Sequence, residues 1–199
     1  GSLGALTLGD RNTAIGATSA PAITIGKYNT ALGYEALLSD TIGNTTVAVG
    51  YQSLANQLSD SDNETTGNTA VGYGVGLELT TGTNNTYLGY IAGRYNQTGT
   101  NNTYLGYQAG YGASGQQNSN NTAVGKDALL GITDANRNVA VGSGAGSLVE
   151  DGDDNVLIGS TAGNVITNGL QNVIIGSGSD PSADDATNQI VIGNATTGV

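Results

Sequence analysis

The chain has 199 residues and a formal net charge of −11, from 16 acidic and 5 basic side chains, which disfavours nucleic acid as a partner because a phosphate backbone needs Lys and Arg contacts. Cys, His, Met, Trp and Phe are all missing, and 33 residues are glycine. Nucleophile–histidine pairs and thiolate or histidine metal sites are therefore impossible within the chain, and we expect a core of Val, Ile, Leu and Ala.

The first residues already belong to a repeating pattern. Gly1 and Ser2 resemble a tag remnant, and the segments ALTLG, NTAIG and AITIG then end at Gly9, Gly16 and Gly26. Their spacings of 7 and 10 residues add up to one full repeat of 17. We infer that each repeat contains two related half-units.

The pattern Asn-Thr/Val-x-aliphatic-Gly then recurs eleven times. Its glycines are Gly16, Gly33, Gly50, Gly72, Gly89, Gly106, Gly125, Gly142, Gly159, Gly176 and Gly193. Eight of the ten steps between them are 17 residues long, and a fixed period of this kind is typical of solenoids. We predict an all-β fold, a parallel β-solenoid of about eleven 17-residue coils, forming a single domain over residues 1–199 with repeats from about 3 to 195.

Each copy of the pattern predicts a short strand ending in a glycine corner. Side chains two residues apart share one face of a strand, and we expect the first and third strand residues, such as Val156 and Ile158, to face the core. Ile158 and Ile175 should then lie in adjacent coils. A second short strand is expected in segments such as Tyr34–Leu37. The two longer steps predict loops at about 56–67 and 111–120, on one edge of the coil.

The middle strand residue is predicted to face outward. It is Ala14, Ala31, Ala48, Ala70, Tyr87, Tyr104, Ala123, Ala140, Leu157, Ile174 and Val191 in successive coils. An exposed row of apolar side chains is seldom left in water. We therefore expect a two- or three-fold bundle of parallel copies that covers this row.

Nine of the eleven copies begin with asparagine, for which two interpretations are compatible. The amides of successive coils can form a hydrogen-bonded ladder. Asparagine also tolerates the left-handed turn conformation and can bond to its own backbone.

With these repeats in view, the chain resembles the left-handed β-roll of YadA-like trimeric autotransporter adhesin heads, and still more closely the NTA-aliphatic-G-Y-x-A repeats of bacteriophage tail-fibre proteins. The resemblance covers Leu3 to about Ala195. YadA-like heads use a 14-residue coil, from which the 17-residue coil departs. The resemblance implies a left-handed coil, a trimer, and a location on a virion tail fibre or an extracellular cell surface.

Tyrosine follows the motif glycine in five consecutive coils, and further tyrosines thicken this zone. The candidates for receptor contact are Tyr73, Tyr87, Tyr90, Tyr104 and Tyr107, although stacking between coils is the simpler explanation of the row. A host glycan or protein is the expected receptor.

Three acidic loops could offer oxygen ligands to calcium, and Asp151, Asp153 and Asp154 are the metal candidates. Their spacing matches no known calcium loop, and solvated surface charge is the simpler interpretation. No cofactor is expected.

Catalysis is not expected, although a carboxylate pair for glycoside cleavage remains conceivable. No apolar run reaches the roughly 18 residues of a transmembrane helix, so we expect no membrane insertion. The predicted function is a structural module of a phage tail fibre that supports host attachment. The alternatives are a bacterial trimeric adhesin head, a polysaccharide-degrading tailspike and, more remotely, an ice-binding solenoid, which would need outward Thr-x-Thr ranks.

Overall fold

The computed structural model describes residues 1–61 and 64–193, in which eleven short strands form one parallel sheet. The strands are β1 (Thr13–Ile15), β2 (Thr30–Leu32), β3 (Val47–Val49), β4 (Thr69–Tyr73), β5 (Thr86–Tyr90), β6 (Thr103–Leu105), β7 (Thr122–Val124), β8 (Val139–Val141), β9 (Val156–Ile158), β10 (Val173–Ile175) and β11 (Ile190–Ile192). Each strand pairs with the next one in the chain. The fold is a parallel β-solenoid, as predicted, and it has one strand per coil.

The register of the sheet follows the repeat. Ile158 pairs with Ile175, so these residues lie in adjacent coils, and the same holds for the glycines that end the strands. Gly33 has a φ of 135°, and a Cβ on it would lie 2.3 Å from the carbonyl oxygen of Gly50. Both the backbone conformation and the close approach of the next coil therefore require glycine at this corner.

The facing of the strands is the reverse of the prediction. The middle residues Ala31 and Leu157 are completely buried, whereas the third residues Leu32 and Ile158 are 43% and 38% exposed. The asparagine before most strands explains the difference, because Asn155, for example, is buried and side chains alternate from there. The middle residue therefore points inward, and its two neighbours point outward.

The predicted second strand, Tyr34–Leu37, is also wrong, because this segment is a turn. Glu35 and Leu37 have φ values of 54° and 52°, in the left-handed region that no β-strand uses. Coil-to-coil hydrogen bonding nevertheless continues, since the Glu35 N–H donates to Ala17 in the preceding coil and the Leu37 N–H donates to Ser53 in the following one.

The buried asparagines form the predicted amide ladder. Asn155 Nδ2 donates to the Gly169 carbonyl at 2.8 Å and to Asn138 Oδ1 at 3.0 Å. Asn155 Oδ1 in turn accepts the Asn172 backbone N–H at 3.0 Å. The left-handed residue at this corner is Asp154, with a φ of 60°, so the ladder rather than a turn conformation of its own explains the asparagine.

We expect Asn155→Ala to lower the free energy of unfolding by about 1–3 kcal/mol, because it leaves buried backbone and amide groups of the neighbouring coils without partners. Chemical denaturation at one fixed protomer concentration measures this change. Asn168→Ala, at an exposed position, should change it by less than about 0.5 kcal/mol. Equal losses in the two variants would contradict the ladder.

The asparagine ladder has one internal interruption, at Thr46, and a side chain of the first insertion restores the hydrogen bonding there. The buried Gln57 donates to Thr46 Oγ1 at 2.9 Å and to Asp40 Oδ2 at 2.8 Å. Its carbonyl oxygen accepts a hydrogen bond from Asn68 Nδ2 at 3.0 Å. The side chain therefore bridges the ladder across the insertion.

In six coils of the core, a large and a small residue are exchanged between two positions six residues apart. Three of these coils have a large middle strand residue and glycine six residues later, and the other three have alanine and then leucine. The pairs are Tyr87 with Gly93, Tyr104 with Gly110, Leu157 with Gly163, Ala31 with Leu37, Ala48 with Leu54, and Ala123 with Leu129. The coils of Ala14, Ala70, Ala140 and Ile174 do not follow this exchange. A Cβ on Gly110 would lie 2.4 Å from the Tyr104 ring, so this exchange is sterically required.

Candidate functional site

The first candidate surface is the outward side of the sheet, which we call the strand face. It consists of the first and third residues of the strands: Thr13, Ile15, Thr30, Leu32, Val47, Val49, Thr69, Val71, Thr86, Leu88, Thr103, Leu105, Thr122, Val124, Val139, Val141, Val156, Ile158, Val173, Ile175, Ile190 and Ile192. All of them are partly or fully exposed, and none carries a charge. The apolar row inferred from the sequence therefore exists, but it is made of these residues and not of the middle ones.

A tyrosine ladder runs beside the strand face and consists of Tyr34, Tyr51, Tyr73, Tyr90 and Tyr107. Ring centroids of neighbours are 4.9–5.5 Å apart, with interplanar angles of 14° or less. The Lys126 ammonium lies 5.8 Å from the Tyr107 centroid at one end. The coil-to-coil stacking is confirmed. Because neighbouring rings cover each other's faces, Tyr73 and Tyr90 present edges and hydroxyl groups to solvent rather than a platform for a sugar ring.

Tyr87 and Tyr104, which were also candidates for receptor contact, are in the core with exposures of 1% and 0%. The reversed facing of the middle strand position places them there, and they stack on each other at 5.2 Å. Tyr104 OH donates to Asn118 Oδ1 at 2.6 Å, whereas Tyr87 OH has no partner among the described residues. Burial raises the pKa of both phenols, so both stay neutral.

The acidic loop that contains the metal candidates is organised around an arginine. Arg137 Nε donates to Asp154 Oδ1 at 2.6 Å, and Arg137 Nη2 donates to Asp153 Oδ2 at 3.0 Å. Asp151 Oδ1 accepts a hydrogen bond from the Thr133 hydroxyl. Across residues 1–61 and 64–193, no three acidic side chains converge on a possible cation position. Asp62, in another acidic loop, lies outside the described residues.

Hydrogen bonding from Arg137 lowers the pKa of the Asp154 carboxyl. We expect Arg137→Gln to raise this pKa towards its ordinary value, as measured by NMR titration of the carboxyl carbon. Because the pKa is lowered in the folded state, the pair stabilises the fold above the ordinary aspartate pKa, and that contribution disappears as pH falls through the lowered value. Arg94→Gln is the control and should leave Asp154 unchanged. An unaltered Asp154 pKa in Arg137→Gln would contradict the pairing.

A groove of about 360 Å³ runs along the edge of the solenoid that carries the insertions. Its lining comprises Ser39, Asn56, Leu58, Glu78, Thr80 and Gln97. Ser39, Asn56 and Glu78 occupy equivalent positions in three successive coils, and so do Leu58, Thr80 and Gln97. The groove therefore crosses four coils and follows the axis.

Sequence reasoning did not identify this groove. Its only signal was the placement of both insertions on the same edge. The lining residues share no motif, because they are brought together by the coil spacing.

No family model, no curated protein and no solved structure matches this chain. Within residues 1–61 and 64–193 the structure has no helical segment with the length and hydropathy needed to span a bilayer.

Proposed function

We propose that the chain is a non-catalytic structural module of a phage tail fibre, assembled as a parallel homotrimer through the strand face and supporting attachment to a host cell. The observation that carries this proposal is the strand face, an uncharged surface that extends over all eleven strands, with an aliphatic residue at the third position of every strand and threonine at the first position of six strands. A monomer would leave this surface in water, and copies of the same chain can cover it.

The distribution of charge favours another copy of the chain as the partner. Each copy carries a net charge of −11, so identical chains repel each other wherever acidic side chains meet. The strand face keeps these side chains away from the contact. Its first column changes from mostly threonine to Val139, Val156, Val173 and Ile190 in the last four coils, which makes that part of the contact the most apolar.

A bacterial adhesin head built from the same coil is the alternative, with the same assembly on a cell surface. The expectation that threonine faces inward, which argued against an ice-binding solenoid, is wrong. A row of outward threonines exists, but Val47 interrupts it, and valine or isoleucine replaces threonine from Val139 onward. The third strand position is aliphatic throughout, so Thr-x-Thr ranks are missing from the described strands.

Native mass spectrometry at micromolar protomer concentration tests the proposal. The expected species has three times the chain mass of 19.8 kDa. A stable monomer under these conditions would overturn the assembly and, with it, the proposed fibre role.

A further inference from the structure

We propose that the groove on the insertion edge is a binding site for a neutral oligosaccharide chain. The groove is distinct from the strand face, so it stays accessible in an assembly that buries that face. The inference rests on the proposed function, since it names the ligand class of a module that supports attachment.

Three polar side chains of the groove are available to a ligand. Ser39, Asn56 and Gln97 have no side-chain hydrogen bond to any described residue, whereas other amides of the same coils are saturated. Asn96, next to Gln97, accepts the Gly99 N–H at 2.8 Å and donates to Asn118. Hydroxyl and amide groups that have no intramolecular partner and converge on one groove can supply the donors and acceptors that orient a bound ligand.

Both insertions contact a middle coil of the groove, the one that contributes Glu78 and Thr80. Leu58, at the start of the first insertion, lines the groove and donates its N–H to the Thr80 carbonyl at 3.0 Å. Ser114 of the second insertion reaches back over 36 residues of sequence to donate to Glu78 Oε2 at 2.8 Å. Both interruptions of the 17-residue period therefore shape the same surface.

The second insertion also contributes to an aromatic pair, which lies beside Gln97 at the end of the groove. Tyr95 occupies the coil position that follows Glu78, and Tyr111 packs edge-on against it with ring centroids 4.9 Å apart. Both side chains are partly exposed. In contrast to the rings inside the tyrosine ladder, this pair is not part of a continuous stack.

The chemistry of the lining selects the ligand class. None of the six lining residues is Lys or Arg, and Glu78 contributes a carboxylate, so the lining itself favours a neutral ligand over a phosphate or carboxylate. The nearest guanidinium is that of Arg94, which lies 5.6 Å from the centroid of the Tyr95 ring. Hydroxyl, amide and carboxylate groups beside Leu58 match a ligand that has many hydroxyl groups and small apolar patches. Equivalent coil positions recur at a spacing of about 4.8 Å, which suits an extended chain of similar units lying along the axis.

The test is titration of the assembled protein with three neutral hexasaccharides, maltohexaose, cellohexaose and chitohexaose, followed by saturation-transfer NMR. We expect at least one of them to bind, and Asn56→Trp, which fills the groove from an exposed position, to weaken that binding at least about tenfold. Val165→Trp is the matched control, because Val165 has the equivalent coil position outside the groove and should leave binding unchanged.

Binding of none of the three sugars at millimolar concentration would overturn the site, and so would equal binding by both tryptophan variants. Native mass spectrometry of the same samples separates this result from a failure of the proposed function. A trimer that ignores all three sugars refutes the groove alone, whereas a monomer refutes the fibre module.

Discussion

Replacing Tyr104 with alanine is expected to lower the free energy of unfolding by about 3–5 kcal/mol, the usual cost of removing a buried aromatic ring. Tyr104 is completely buried, stacks on Tyr87 and donates its hydroxyl to Asn118. Gly110 has no side chain to fill the space that is left. Chemical denaturation at one protomer concentration measures the loss, since the stability of an oligomer depends on concentration.

The matched partner is Gly110→Leu, which should be strongly destabilising alone and should restore roughly half of the loss in a Tyr104→Ala background. Leucine is acceptable to the backbone there, because Leu37, Leu54 and Leu129 have φ values of 49–52° at the equivalent position and Gly110 has 58°. Additive losses in the double variant would contradict the exchange of volume between the two positions.

Ile158→Asp is expected to dissociate the proposed homotrimer into monomers at micromolar concentration. The substitution would place a carboxylate in the middle of the proposed contact, and an uncompensated buried charge costs about 3–5 kcal/mol in each copy. Sedimentation velocity measures the shift in mass, and circular dichroism should still show the solenoid, because Ile158 points away from the core.

Val165→Asp is the control for this variant. Val165 is 38% exposed, the same as Ile158, but it lies outside the strand face. We expect it to remain fully assembled. If both aspartate variants keep the native mass, the strand face is not the contact.

The period of the sequence was sufficient to predict the parallel solenoid and its register, because a solenoid is a one-dimensional stack and equal spacing implies equal position. The two-residue spacing of the aliphatic positions was not sufficient to predict which side chains of a strand face the core. That spacing shows that Val156 and Ile158 share a face, but it does not show which face is inside. The burial of the preceding Asn155 decides this, and the recurring asparagine was the signal that could have revealed it.

The expected aliphatic core was also incomplete, since Tyr87 and Tyr104 are part of it. Their burial depends on Gly93 and Gly110, six residues further along, so it becomes visible only when the two positions are compared coil by coil. The groove was not predictable in detail, because its lining side chains come from four coils and the side-chain contact between Ser114 and Glu78 crosses 36 residues.

The central claim is that identical chains lie parallel with their strand faces together. The chain has no cysteine, so spin labels can be attached singly to Ser143→Cys, Ser160→Cys and Ser177→Cys, at one equivalent position in three successive coils. Double electron–electron resonance should give the same distance between protomers for all three variants. Distances that change by about 10 Å from coil to coil, as in an antiparallel pair, or no dipolar signal at all, would contradict the account.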